Sequence, residues 1–141
     1  MFSSAEVSDQ FTLFASGTVT ATDAGESGVS VHRIRNAAVF TLDVTAVGTG
    51  PGDTLDVFVQ TLVAPNIWVD VVHFTQVVGN GGAKRFVAKI LAGASEAMFA
   101  PATALVAGSV RNIIGDLFRM RCDVVSSSAP SFTFSVVAEA I

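Results

Sequence analysis

The chain has 141 residues, enough for one domain whose core folds without staples. Half of its residues are apolar and 14% are charged, well below the charged share of an average soluble domain, so little of the surface is ionic. A formal net charge of −4 with scattered Lys and Arg argues against a nucleic-acid partner, and a single Cys excludes an internal disulfide. Residues 1–10 (MFSSAEVSDQ) read as an extended arm, too polar and too short of basic residues to be a signal peptide. No apolar run is long enough to span a membrane as a helix.

Residues 11–22 alternate around Leu13, Ala15 and Val19, and DAGESG at 23–28 is turn chemistry. Residues 28–35 (GVSVHRIR) alternate again. Residues 37–47 give the cleanest strand, with Ala38, Phe40, Leu42, Val44 and Ala46 assigned to the core. After the breaker loop GTGPG at 48–52, residues 53–74 read as two strands folded back on each other. Leu55, Val57, Val59 and Thr61 alternate with Asp56, Phe58 and Gln60, and Ala64-Pro65-Asn66 makes the turn. Beyond it the pattern is ambiguous: either both faces are covered or a bulge shifts the phase near Asp70.

Gly79-Asn80-Gly81-Gly82 is the strongest turn signal and predicts that residues 84–91 return antiparallel to residues 74–78. Residues 93–108 are less periodic: Ser95 is placed to cap a helical turn ended by Pro101, and otherwise the segment is a long connection. Residues 117–125 and 131–141 read as the last antiparallel pair, with Phe118, Met120, Cys122 and Val124 on one face of the first and Phe132, Phe134, Val136 and Ala138 on one face of the second. The sum is an all-β chain of about eight strands, an antiparallel β-sandwich or jelly-roll-like fold, with an arm at 1–10 and one domain at 11–141.

Motifs for chemistry are weak. The glycines at 48–52 lead into a strand, and Lys84 is followed by Arg85, so neither turn matches a phosphate loop. His32, His73 and Cys122 lack metal-ligand spacing. Asp43, Asp56, Asp70 and Asp123 sit at alternating strand positions and read as solvent-facing, and no Ser or Cys lies in a motif with a base. The expectation is a protein that is not an enzyme and uses no cofactor or metal, with Cys122 a buried, inert thiol. A carbohydrate-binding β-sandwich module is the rival of a different class. It depends on exposed aromatic platforms, for which Trp68 is the one indole and Tyr is absent.

The segment TLDVFVQTLVAPNIWVDVVHFTQVVGNGGAKRFVAKI resembles small structural proteins of tailed bacteriophages, in which an LDVxxQT strand runs through a turn to a Trp and then an HFTQ-like strand. GDLFRMRCDVVSSSAPSFTFSVVAEA resembles the closing strands of the same group. The group carries an Asp-Gly turn before the Trp where this chain has Ala-Pro-Asn. The resemblance implies a virion protein: a decoration or cement protein on the capsid surface that binds the major capsid protein, self-associates as a trimer and has neither nucleic-acid nor membrane partners. A neck or tail protein is the alternative. Contact residues expected under this reading are Phe2, Val7 and Phe11 near the arm, Lys84 and Arg85, Met98, Phe99 and Leu105 in the 93–108 connection, and Arg119 and Arg121.

Overall fold

The computed structural model describes residues 10–23, 29–31, 34–126 and 129–141. These residues form β1 (Gln10–Val19), β2 (Val29–Val31), β3 (Ala37–Ala46), β4 (Thr54–Ala64), β5 (Ile67–His73), β6 (Val77–Val78), β7 (Lys84–Leu91), β8 (Ser109–Val110), β9 (Leu117–Val125) and β10 (Phe132–Ala140), with no helix among them. The first sheet runs β1-β10-β3-β7 and the second β2-β9-β4-β5-β8, with β6 also on β4; every pairing is antiparallel. The pairs β1·β10, β2·β9, β3·β7 and β4·β5 are nested, as in one long hairpin wrapped around a barrel. Eight principal strands in this order are a jelly roll, the fold expected from the strand pattern.

Alternation supplies the core. Phe40, Leu42 and Val44 of β3, Phe118, Met120 and Cys122 of β9, and Phe132, Phe134, Val136 and Ala138 of β10 all point between the sheets and are fully buried. Phe40 meets Phe118 across the sandwich with ring centroids 5.9 Å apart. Each such Phe contributes roughly 1.5–3 kcal/mol by leaving water. The hinge of the wrapped hairpin is the β4–β5 turn. Pro65 presets one dihedral, and Asn66 takes the left-handed conformation at φ 59°. The β4–β5 register steps from Val59↔Val72 to Gln60↔Asp70, so a bulge at Val71 resolves the ambiguity in β5 and turns Asp70 to the outer face beside Gln60.

Two expected pairings are corrected. Residues 84–91 do not return along residues 74–78: β7 pairs with β3 in the first sheet, and Val77–Val78 pairs with β4 in the second. The Gly79–Gly82 turn reverses the chain but does not choose its partner. Gly79 donates to Asp53 O at 2.8 Å and lies too close to Gly50 O for any Cβ, which pins the turn to the 50–53 loop. Gly82, at φ 78°, lies in the left-handed region where the chain leaves toward the other sheet. Likewise β9 and β10 are not partners: they face each other from opposite sheets.

Smaller departures have local causes. Register shifts at Thr12/Phe14 and Phe14/Gly17 expose Ala15 and turn Phe14 onto Phe134, centroids 4.9 Å apart. Ala46 is exposed and Val47 takes its place against the core. Of the expected strand at 28–35, Val29–Val31 form β2 and Ile34 and Arg35 are in no strand, while Gly28, His32 and Arg33 lie outside the described residues. Ser95 caps no helix; residues 95–100 have no regular structure.

Candidate functional site

The outer face of the second sheet carries the densest group of polar and aromatic side chains. The β4–β9 register sets Phe58 opposite Arg121 and Gln60 opposite Arg119, and β5 sets His73 beside Phe58 and Asp70 beside Gln60. Phe58 therefore stands between a guanidinium and an imidazole. Arg121 Cζ lies 3.8 Å from its ring centroid, and the His73 ring stacks at 3.9 Å. Arg121 also reaches Asp123 at 2.9 Å and Asp70 Oδ2 at 3.4 Å. Asp70 Oδ1 accepts from Gln60 Nε2 at 2.9 Å, Gln60 Oε1 accepts from Arg119 Nε at 2.7 Å, and Arg119 lies 4.2 Å over the Trp68 ring. The chain of contacts thus runs unbroken from Trp68 to Asp123.

A second feature is anchored to this face. The connection 92–116, between β7 and β9, runs along the free edge of β5. Gly108 N–H donates to His73 O, β8 pairs with β5, and Arg111 N–H donates to Val71 O. Side chains fix it further. His73 Nδ1–H donates to Leu105 O at 2.7 Å while His73 Nε2 stands 2.9 Å from Asp56 Oδ1. Buried Arg111 donates to Asp70 O at 3.1 Å and lies 3.9 Å over the ring of Phe99. Glu96 accepts from Asn112 N–H, whose own side chain accepts from Leu91 N–H at 2.9 Å. At the far end Gly115 donates to Thr61 Oγ1 at 2.9 Å and packs so closely on Leu62 O that a side chain has no room there.

The expected contact residues fall into four groups. Phe2 and Val7 lie outside the described residues, as does His32. Phe11 is a core residue. Arg119 and Arg121 do not form a free basic strip: the Arg121 side chain is 22% exposed and both lie over aromatic rings. Lys84 and Arg85 are exposed, and Met98 is exposed at 99%, while Phe99 and Leu105, both after it in the chain, are half-buried. Sequence reasoning missed Asp56, Asp70, Gln60 and Arg111. The aspartates share the outward parity of solvent-facing residues, and that parity cannot show that a neighbouring strand and a connection enclose them. The bulge near Asp70 was the one available signal.

Chemically this arrangement binds itself. Both ring nitrogens of His73 are engaged, and no buried side-chain nitrogen or oxygen among the described residues lacks a partner. Burial pushes the Cys122 thiol up from its ordinary 9.0 to about 11, so it stays protonated and unreactive at neutral pH. No group of three or more His, Cys, Asp or Glu able to hold a metal occurs among the described residues. Arg119 covers one face of Trp68 and keeps a sugar ring from stacking there. Outside this closed network stands a group of exposed apolar side chains. Of the ten exposed large hydrophobics among the described residues, Val87, Leu91, Met98, Val106 and Val110 all fall between the middle of β7 and β8. Comparison with known protein families, curated proteins and solved structures finds no match.

Proposed function

We propose that the chain is a structural protein of a tailed-phage virion, a trimeric decoration or cement protein that binds the major capsid lattice through residues 92–108. Two things support the reading: the resemblance of the strand motifs to those of small phage structural proteins, and the character of this connection. The connection carries the argument. Glu96 is its single charged side chain and is occupied by Asn112 N–H. Phe99 and Leu105 are tied to the sheet through Arg111 and His73, and Met98 and Val106 are left facing solvent. A segment held in place before it meets a partner loses little conformational entropy on docking, so its apolar area is available for adhesion. The same area is costly in an isolated protomer.

The test is co-sedimentation with expanded shells of the major capsid protein encoded with it. Wild-type protein should bind the shells, and Met98→Asp with Val106→Asp should lower occupancy about tenfold or more, as loss of an interface centre does, with an unchanged melting temperature. Binding that ignores both substitutions, or no binding to shells, removes the cement reading. Sedimentation with purified tails or necks in place of shells transfers the role to those parts of the particle.

A further inference from the structure

The two edges of the first sheet are unlike. On β1 the ladder is broken twice by register shifts, and such irregularity blunts an edge against further pairing. Strand β7 pairs with β3 over eight successive residues without a shift. Its unpaired side can be deduced. Ala37 and Ile141 exchange both backbone hydrogen bonds, so Ala37, Val39, Thr41 and Asp43 face β10 and the residues between them face β7. The β7 partners of those intervening residues are Lys84, Phe86, Ala88 and Ile90. Arg85, Val87 and Lys89 therefore aim their N–H and C=O groups away from the sheet. Leu91, next in that series, confirms the direction: its N–H is met by the side chain of Asn112 at 2.9 Å. Val87 itself is 67% exposed.

Beside this edge, between β7 and the β5–β8 edge of the second sheet, lies an open cleft of about 360 Å³, lined by Val72, Phe74, Phe86, Ala88 and Val110 among others. A strand added to β7 would lay alternate side chains over this cleft. Its other side chains would lie beside Arg85, Val87 and Lys89. Three of the eight Lys and Arg of this net-acidic chain are in β7. Arg85 makes only an exposed pair with Asp43, at 3.3 Å, and Lys84 and Lys89 make no ion pair among the described residues. Basic residues on an edge normally repel other strands, and they do repel a second copy of this one. Antiparallel self-pairing centred on Arg85, Val87 or Lys89 opposes Arg85 to itself, Arg85 to Lys89, or Lys89 to itself.

From this we infer that the free edge of β7 is a docking site for an extended acidic segment of a partner protein, bound by strand addition. The complementary segment has two carboxylates four residues apart, facing Arg85 and Lys89. A β-branched residue between them lies against Val87, and apolar residues at the intervening positions enter the cleft. The inference is independent of the virion reading and holds wherever the protein works.

The probe is a fluorescein-labelled peptide, Ser-Glu-Val-Thr-Val-Glu-Ser, followed by anisotropy, with a scrambled peptide of the same composition as control. The expected result is saturable binding at least about tenfold tighter than the scrambled control, one decade being about 1.4 kcal/mol. Val87→Pro removes an outward N–H without touching the β3 ladder, a placement that edge strands tolerate, and should abolish this preference. Arg85→Glu with Lys89→Glu should lose the acidic peptide and gain its Lys-substituted counterpart. On the wild-type protein, the amides of Val87 and Lys89 should gain hydrogen-exchange protection when the peptide is added, a readout that needs no variant to fold. Equal binding of the scrambled peptide, or unchanged protection, overturns the assignment. Protection of the same amides that rises with protein concentration alone gives the edge to a second copy and also overturns it.

Discussion

The outer faces of the two sheets are built from the same strand alternation and reach opposite results. On the second sheet, Arg119, Arg121, Asp70 and His73 are held by one another and by Phe58 and Trp68. On the first sheet, cross-strand rows such as Thr12–Val137–Thr41–Val87 carry short β-branched side chains, and Arg85–Asp43 is an exposed pair, with side chains 68% and 35% accessible. The difference lies in what stands between the charges. An aromatic ring between strands excludes water, which strengthens the pairs beside it and makes each unpaired member expensive. Where only Thr and Val intervene, water screens the pair.

Three substitutions sharpen or break this contrast. Asp70→Ala should have the largest effect. It leaves Gln60 Nε2 without its acceptor in a half-closed environment and takes from Arg121 one of its two carboxylates, and should cost about 2 kcal/mol, within the range for a buried polar group left unsatisfied, read from urea unfolding. A cost below about 1 kcal/mol would show that the second face is solvated like the first. Arg121→Lys keeps the charge but loses the planar stack on Phe58 and the second nitrogen that lets one side chain reach both Asp123 and Asp70, and should lower stability by about 1 kcal/mol. A thermal melt matching wild type would remove the stack from the account. Asp43→Ala, on the first sheet, should change stability by less than about 0.5 kcal/mol. A larger loss there would erase the distinction between the faces.

The same contrast explains what was legible in the sequence. The inward residues of β3, β4, β9 and β10 were readable because each alternates hydrophobic and polar with period two, and period two fixes which face a side chain takes. It does not fix what covers that face. Asp56 and Asp70 carry the outward parity of Asp43, yet one meets His73 and the other Gln60 and Arg121. Strand partners were equally hidden. The β4–β5 hairpin was found because its turn and its pairing are local. Strands β7 and β10 pair with β3, far back in the chain. A glycine turn reports only that the chain reverses. In the connection 92–116, Met98 was identifiable as an apolar residue in a long loop. The anchors Arg111 and Asn112 were not, because their partners are strand edges that exist only after folding.

The place of β10 in the first sheet has a consequence for biogenesis. It is made after the nine other strands of the described residues, yet it lies between β1 and β3 and joins them. Until the ribosome has delivered it, β1 has no neighbour in its own sheet, and the inner face of that layer stays open to water. Vectorial synthesis therefore cannot finish the domain piecemeal. The nascent chain must keep its early hydrophobic segments from associating elsewhere until the final segment slots into the middle, and ribosome-stalled chains lacking residues 132–140 should be captured by chaperones and cut by proteases that spare the finished protein.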